Sequence, residues 1–342
     1  MLKDIVIGPH QVSLDITNKC NLRCLHCYNS SGENYQSQNE LTDEEVLAFI
    51  HEFKDIKLLN FCFCGGETLL RKDLIVKAAK LLKEYDCENI AMVSNGILMT
   101  DETIDELVEA GINKIQISLD GIKPESHDRI RNQSGVYEKA ISAIERLRKK
   151  GVNTGVAFTP TSFNIDEIRA VRDYLSTLGV DSLRAQPLMI MGRASKNVKS
   201  IQPSNEQYRR LVNEIKQLNM EQKDPFIEWG DPVDHLIRFR HKTFMITNCA
   251  VRSNGEIIAD PYLPLVLGNL RNHSFREYWE HGLNKMWEMQ LVKKLAENIM
   301  CTSEMDVEKN NMPEIFKHGD IYIDLIDDDI SEISKWLLKL FK

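Results

Sequence analysis

The chain has no long apolar run and no excess of positive charge. None of its uncharged apolar stretches approaches the ~18 residues that a membrane-spanning helix needs. Its first residues, Met-Leu-Lys-Asp, lack the apolar centre of a signal peptide. A net charge of −8 gives no reason to expect the basic surface that binds nucleic acid. These absences predict a cytoplasmic protein that binds neither membranes nor nucleic acids.

The cysteines of such a protein are better explained as metal ligands, reactive thiols or buried residues than as a disulfide framework. The chain has eight, and three of them, Cys20, Cys24 and Cys27, lie directly after an alternating, strand-like run at residues 12–17. Three thiolates on one short loop can converge on a single metal centre. Three ligands also leave one coordination position open, whereas a closed structural site uses four.

Three explanations of this loop remain open from the residues alone. The thiols could be unconnected, or they could form a zinc site completed by His26 or by a distant residue. His26 is poorly placed for that role because it lies between two of the cysteines on a very short loop. The third explanation is an iron–sulfur cluster with three protein thiolates and one free iron.

Strand-like segments alternate with helical patterns along the first two thirds of the chain. They cover residues 12–17, 57–64, 89–93, 114–119, 153–159 and 182–189. Strict alternation predicts a parallel sheet. The polar, glycine and cysteine positions follow the strand ends, and in a parallel barrel that face holds the active site. A closed eight-unit barrel would need two more units, so the count indicates an open one.

Three of the strand ends carry short polar motifs. Gly-Gly-Glu at residues 65–67 ends the second strand, and its glycines allow a ligand to approach the backbone closely. Ser-Asn-Gly at 94–96 and Ser-Leu-Asp-Gly at 118–121 end the next two. Hydroxyl and carboxylate groups suit the hydroxyls of a ribose. Ordinary turns after strands explain each motif equally well when it is taken alone.

Taken in order, these motifs resemble the radical S-adenosylmethionine (radical SAM) superfamily. The resemblance begins with the Cys-x3-Cys-x2-Cys spacing and the aromatic residue after it, and continues with Gly-Gly-Glu about forty residues later. In that family the three thiolates hold a [4Fe–4S] cluster, S-adenosylmethionine chelates the fourth iron, and one electron cleaves the sulfonium to a 5′-deoxyadenosyl radical. The resemblance implies an α/β fold, a partial (β/α)6 barrel, and an enzyme of oxidoreductase or isomerase type. An electron donor such as flavodoxin or ferredoxin would be a partner.

The resemblance also implies a set of site residues. The guanidinium expected to pair with the cofactor carboxylate is assigned to Arg131 rather than Arg129. The expected metal ligands are Cys20, Cys24 and Cys27, and the expected cofactor contacts are Tyr28, Gly65, Gly66, Glu67, Asn95, Ser118, Asp120 and Arg131.

The barrel is expected over residues 1–225, and residues 226–342 are expected to form a smaller α+β region with a hairpin around Gly255 and a terminal helix. Gly-Arg-Ala at 192–194 and the segment 249–270 resemble the SPASM/Twitch subgroup. A ligand cysteine would be expected near residues 260–262, but the only later cysteine is Cys301. Cys249 and Cys301 cannot supply the four ligands of an auxiliary cluster. One cluster is therefore predicted.

A single cluster favours redox-neutral chemistry such as epimerisation, which needs a hydrogen donor. Cys249 and Cys301 are the proposed donors, and small buried residues or remnant ligands are the alternative. Cys62, Cys64 and Cys87 are interpreted as structural, although Cys64 adjoins the active face.

The substrate predicted from the resemblance is a ribosomally made peptide. A small molecule such as a sugar, nucleoside or tetrapyrrole is the alternative, and a non-catalytic zinc protein is the alternative of another class. The barrel begins by residue 12, so no fused peptide-binding module is expected in front of it. A separate partner protein or the barrel mouth would then bind the peptide.

Overall fold

The computed structural model describes residues 8–33, 39–241, 248–306 and 309–341. The strands are β1 (Gln11–Thr17), β2 (Asn60–Gly65), β3 (Asn89–Ser94), β4 (Lys114–Ser118), β5 (Asn153–Phe158), β6 (Ser182–Ala185), β7 (Ile227–Trp229), β8 (Asn248–Val251), β9 (Glu256–Ile258), β10 (Leu265–Asn269) and β11 (Ile321–Tyr322). The helices are α1 (Asp43–His51), α2 (Lys72–Glu84), α3 (Asp101–Ala110), α4 (Pro124–Arg131), α5 (Val136–Lys149), α6 (Ile168–Thr177), α7 (Gly192–Ile201), α8 (Asn205–Met220), α9 (Pro232–Arg240), α10 (Phe275–Glu280), α11 (Gln290–Glu297) and α12 (Ile330–Leu338). Among these helices none combines the length and apolar character required to cross a bilayer.

All of these strands belong to one sheet in the order β11-β10-β9-β8-β1-β2-β3-β4-β5-β6-β7. Strands β1 to β7 pair in parallel with their neighbours in chain order. Strand β8 returns parallel to β1, and β9 and β10 continue as antiparallel neighbours. The carboxyl ends of β1 to β7 therefore meet at one edge. This arrangement confirms the predicted α/β partial barrel with a smaller C-terminal region.

Two elements of the barrel were not predicted. Strand β7 is a seventh parallel strand, but it has only three residues and so shows no alternation in the sequence. Helix α7 begins within the segment 191–194, which the sequence indicated as a loop. Ala194 and Ile201 are its only fully buried residues, so the sequence shows no apolar face for this helix. The parallel sheet thus continues past residue 225, and the division into residues 1–225 and 226–342 stays a prediction. The hairpin is confirmed, with Gly255 between β8 and β9 at φ +87°.

The first strand shows that the two faces of the sheet differ. Val12, Leu14 and Ile16 are at most 1% exposed and belong to the main hydrophobic core, which includes residues of the surrounding helices. Ser13 and Asp15 alternate with them and are only half-buried. The period of two along a strand places these two sets on opposite faces.

The second strand repeats this pattern. Phe61 and Phe63 are fully buried in the same core, with ring centroids 4.9 Å apart, while Cys62 and Cys64 are half-buried on the other face. We call this second, inner face of the barrel the lumen. Its half-buried lining on the first four strands includes Ser13, Asp15, Cys62, Cys64, Gln116 and Ser118.

The C-terminal region is tied to the barrel through Arg271, which follows β10. Its Nε lies 2.7 Å from Glu45 Oε1, and its other nitrogens donate to the carbonyls of Asn39 and Glu40. Glu40 in turn accepts hydrogen bonds at the end of β1, from Thr17 Oγ1. Through these contacts the C-terminal region supports the end of β1, which the cysteine loop directly follows.

Alanine substitutions on the two faces of β2 test this assignment. Phe63→Ala removes a fully buried side chain and is expected to lower the free energy of unfolding by about 3–5 kcal/mol. Cys62→Ala, on the opposite face, is expected to cost no more than about 1 kcal/mol because little packed volume is lost. Urea denaturation followed by tryptophan fluorescence measures both. Equal losses would show that Cys62 belongs to the same core.

Candidate active site

The cysteine loop follows β1 and brings its three thiols around one small apolar cluster. Leu22, Cys24 and Val136 form the buried centre of that cluster, and Cys20 and Cys27 pack against it. The amide of Leu22 donates to Cys20 Sγ at 3.4 Å, which fixes the first sulfur. The predicted ligands are thus gathered at the carboxyl edge of the sheet.

Three thiols on one loop can bind a single zinc ion, whose sulfur ligands lie about 3.8 Å apart, or a larger centre with several metal atoms. Within the described ranges, the one set of three potential ligand side chains whose atoms all lie within 4.8 Å of one another is His273, Asp324 and Asp327, so the three loop sulfurs are not drawn together that closely.

Gly65 and Gly66 seat the loop against the end of β2. The amide of Gly66 donates to Thr17 O at 2.8 Å. A Cβ atom on Gly66 would lie 2.1 Å from Lys19 O, and one on Gly65, where φ is +118°, would lie 2.3 Å from Thr17 O. The sequence predicted that these glycines admit a ligand. The close approach that the structure shows is to the backbone of the cysteine loop itself.

Glu67 and Asn95 hold neighbouring strand ends together. The fully buried carboxylate of Glu67 accepts hydrogen bonds from Leu69 N, Ser94 Oγ and Asn95 N, at 2.8–3.1 Å. Burial still raises the pKa of Glu67. The side chain of Asn95 donates to Asn21 Oδ1 at 2.7 Å and so reaches into the cysteine loop. Both residues thus have structural roles that the sequence did not reveal, and their contact with a cofactor stays a prediction.

Asp120 and Arg131 form a buried ion pair beside one of the thiols. Arg131 Nη2 lies 2.6 Å from Asp120 Oδ2, and Arg131 Nη1 lies 3.8 Å from Cys24 Sγ. The other oxygen of Asp120 accepts from Thr159 N at 2.8 Å. Burial alone would raise the pKa of Asp120, but Arg131 and nearby histidines hold it below its usual value. Arg129, in contrast, lies 3.5 Å above the ring of Phe163.

Three polar atoms at this place have no hydrogen-bond partner among the described residues. They are His26 Nδ1, Asp120 Oδ2 and Arg131 Nε. Asp120 Oδ2 is nevertheless held by ion pairs, with Arg131 Nη2 at 2.6 Å and His26 Nε2 at 3.5 Å. Buried polar atoms are ordinarily satisfied, so the remaining two nitrogens, His26 Nδ1 and Arg131 Nε, leave capacity for a polar ligand. His26 was considered only as a zinc ligand, and its position between the cysteines was the available signal.

Ser118 and Tyr28 lie on the lumen side of the same edge. Ser118 ends β4 opposite Ala157, and the described neighbours offer its hydroxyl no hydrogen bond. Tyr28 keeps 38% of its surface open, although burial and the nearby charges of Asp15 and Cys64 raise its pKa well above the usual value.

Helix α7 locks the outer side of the cysteine loop, a contact that the sequence did not predict. Arg193 N donates to Cys27 O at 2.9 Å, and Arg193 Nε donates to Cys24 O at 3.1 Å. A Cβ on Gly192 would lie 2.4 Å from Tyr28 O. The Gly-Arg-Ala segment is thus part of the support of the cysteine loop.

The structure brings neither proposed thiol donor into the lumen. Cys249 on β8 lies opposite Val12 and shares its core-facing side, and burial raises its pKa to about 12. Cys301 is exposed, with its sulfur 2.9 Å from Ser303 Oγ. The thiols that do line the lumen are Cys62 and Cys64, which alternation along β2 turns away from the core.

Comparisons with known proteins agree with this geometry. Residues 14–175 match the family model of the radical SAM superfamily. An AdoMet-dependent heme synthase of Methanosarcina barkeri is 27% identical over 301 residues, which are 80% of this chain and 83% of the relative. The sporulation killing factor maturation protein SkfB of Bacillus subtilis is 25% identical over 317 residues, 89% of this chain and 72% of the relative.

Solved structures show the same fold. SuiB of Streptococcus suis bound to S-adenosylmethionine has a TM-score of 0.68 at 13% identity, covering 94% of this chain and 77% of that one. Native anSMEcpe with bound AdoMet has a TM-score of 0.65 at 17% identity, covering 97% and 95%. Both are SPASM/Twitch-type enzymes. Because the matched family span contains the cysteine loop and the strands that support it, residues 14–175 form a radical SAM domain.

Proposed function

We propose that this enzyme binds one [4Fe–4S] cluster through Cys20, Cys24 and Cys27 and binds S-adenosylmethionine beside it. The observation that carries the proposal is the set of three gathered thiols next to the buried Asp120–Arg131 ion pair and two buried nitrogens, His26 Nδ1 and Arg131 Nε, that have no hydrogen bond among the described residues. When bound, the cluster supplies the electron that cleaves the sulfonium to a 5′-deoxyadenosyl radical, which abstracts hydrogen from a substrate. A flavodoxin or ferredoxin would deliver that electron.

The residues around the thiols fit both groups. Cluster ligation makes the thiols anionic, and the guanidinium of Arg131, 3.8 Å from Cys24 Sγ, offsets part of that charge. The carboxylate of Asp120 and the guanidinium of Arg131 suit the charged ammonium and carboxylate of an amino-acid group. The free hydroxyl of Ser118 is available to a ribose. Glu67 and Asn95 would act mainly by holding the strand ends that carry these contacts.

A ribosomally made peptide is the substrate that we infer. The relative SkfB is named as a maturation protein, and PqqA peptide cyclase of Rhizobium meliloti is 26% identical over 204 residues, although the chain spans only 53% of that relative. The sheet ends at β7, whose outer edge pairs with no other described strand. An extended peptide can add to such an edge through main-chain hydrogen bonds.

A tetrapyrrole is the second candidate, because the heme synthase relative matches across most of both chains. Redox-neutral chemistry is proposed in either case. Two cysteines, Cys249 and Cys301, follow the barrel, and these cannot hold the second cluster that could accept an electron.

Iron content and cofactor cleavage test the central proposal. Anaerobically reconstituted protein is expected to be brown, with about four irons per chain, and to convert S-adenosylmethionine to 5′-deoxyadenosine and methionine under dithionite. Cys24→Ala is expected to lose both properties because one cluster ligand is gone. Cys87→Ala, which removes a thiol buried at the opposite end of the sheet, is the matched control and should keep both. A colourless zinc protein that leaves the cofactor intact would contradict the proposal.

Removal of the Ser118 hydroxyl tests cofactor binding without affecting stability. Ser118→Ala is expected to weaken S-adenosylmethionine binding about fivefold, the loss of one hydrogen bond of ~1 kcal/mol, and to leave the melting temperature unchanged. Ser94→Ala is the matched comparison. Its hydroxyl donates to Glu67 at 2.8 Å, so its loss should cost stability, about 1–3 kcal/mol. Calorimetric titration and thermal unfolding measure the two effects. Wild-type affinity in Ser118→Ala would remove this contact from the site.

The genes next to this one are used to test the substrate assignment. A short open reading frame there is to be co-expressed with the enzyme, together with any peptide-binding protein encoded nearby, in medium made with D2O. Epimerisation is expected to add one mass unit to the peptide at one residue, because a solvent-derived deuterium replaces the abstracted hydrogen. An unmodified peptide, or neighbours that belong to a sugar or tetrapyrrole pathway, would contradict the peptide assignment.

A further inference from the structure

Two thiols face the lumen side by side on β2. Cys62 and Cys64 alternate with Phe61 and Phe63, which point into the hydrophobic core. The sulfurs of Cys62 and Cys64 are 3.3 Å apart, and Cys64 donates to Cys62. We call these two residues the β2 thiol pair.

The β2 thiol pair lies on the strand next to β1, which leads into the cysteine loop. Cys64 is in register with Asp15 on the neighbouring strand, and the next residue of β2, Gly65, contacts the backbone of Thr17. Tyr28, which immediately follows the last loop cysteine, is close enough to Cys64 and Asp15 for their charges to affect its pKa. The pair therefore lies on the inner face of the strand whose end contacts the cysteine loop.

The surroundings keep a hydrogen on Cys64. Its hydrogen bond to Cys62 raises the pKa of Cys64 well above the usual value, and burial raises it further. The same hydrogen bond lowers the pKa of Cys62. Asp15, whose own pKa burial raises to about 6, adds a negative charge above that pH and opposes a second anion at Cys64. These shifts favour the protonated form of Cys64 over that of Cys62.

We propose that Cys64 is the hydrogen-atom donor of the lumen and that Cys62 is its supporting partner, an assignment that rests on the proposed radical chemistry. A carbon radical in the lumen takes the hydrogen atom of Cys64; a C–H bond forms, the S–H bond breaks, and the unpaired electron stays on sulfur. The sulfur of Cys62, 3.3 Å away, can share that electron. One electron from the low-potential donor and one proton from water then restore the thiol.

This assignment replaces Cys249 and Cys301 as donors. Cys249 faces the core behind the sheet and Cys301 is exposed at the surface, whereas both members of the β2 thiol pair are half-buried on the inner face. A donor on β2 also leaves the substrate side of the lumen unobstructed. The radical is then quenched on the strand that also positions the cysteine loop.

Turnover without substrate in D2O tests the donor. Thiol hydrogens exchange with solvent but C–H hydrogens of the protein do not, so a radical quenched by Cys64 yields 5′-deoxyadenosine that is one mass unit heavier. Reconstituted enzyme is to be reduced with dithionite, without added thiols, in the presence of S-adenosylmethionine. Wild-type enzyme is expected to give a large monodeuterated fraction by mass spectrometry. Unlabelled 5′-deoxyadenosine from wild-type enzyme would overturn the donor role while leaving the proposed function intact.

Substitutions of single cysteines identify the sulfur that supplies the deuterium to 5′-deoxyadenosine. Cys64→Ser is expected to lose most of the deuterium while still forming 5′-deoxyadenosine, and Cys62→Ser, which keeps the donor, is expected to retain most of it. Cys87→Ser is the matched control and should equal wild type, with equal iron content checked in every variant. Loss of label in Cys62→Ser, Cys249→Ser or Cys301→Ser instead of Cys64→Ser would overturn the assignment. Absence of any 5′-deoxyadenosine in wild type would sink the proposed function itself.

A second readout does not need the loaded enzyme. Iodoacetamide is to be applied to the folded, cluster-free protein, and the alkylated sites are to be mapped by mass spectrometry. The half-buried Cys62, whose pKa is lowered, is expected to be modified, whereas Cys249, whose thiol is buried, is expected to be protected. Protection of both Cys62 and Cys64 alongside alkylation of Cys249 would place the pair outside the lumen and overturn the inference.

Discussion

The close backbone approach between the end of β2 and the cysteine loop is the constraint on which the rest of the site depends. Gly66 N donates to Thr17 O at 2.8 Å, and Glu67 N donates to Lys19 O at 2.9 Å. No side chain fits between them, because a Cβ on Gly66 would lie 2.1 Å from Lys19 O. The loop that carries the thiols is thereby fixed to the sheet by main-chain contacts. Its geometry does not depend on the metal alone.

The second requirement of the site is charge. A buried ion pair such as Asp120–Arg131 contributes little net stability, because desolvation of both groups offsets much of their attraction. Here the pair adjoins Cys24, where three thiolates would add negative charge, and a cation beside them has an electrostatic purpose. The Nε of Arg131 is buried without a hydrogen bond from the described residues, which costs free energy in the folded protein. That cost is consistent with residues arranged for a ligand rather than for the fold.

The sequence was informative where the candidate site residues lie in short contiguous motifs. The cysteine loop and the polar motifs each directly follow a strand in the chain. Because parallel strands end at the same edge of a sheet, the alternation of strands and helices is enough to place these motifs at one edge. The contacts that support them are not local: Arg193 donates to Cys24 O across 169 positions, and Asn95 donates to Asn21 across 74. The direction in which the Cys64 side chain points was not predicted for a related reason. The direction of a side chain on an almost continuously apolar strand becomes visible only once the pairing register is known.

The C-terminal region has polar side chains where a cluster-bearing relative would have a cysteine. Asp260 lies 2.9 Å from His235 Nε2 and accepts from the amide of Tyr262. The hydroxyl of Tyr262 lies 3.4 Å from Gln186, just beyond the end of β6, and close enough to Tyr28 to influence its pKa. These residues therefore extend the polar wall of the lumen from the cysteine loop to the accessory region.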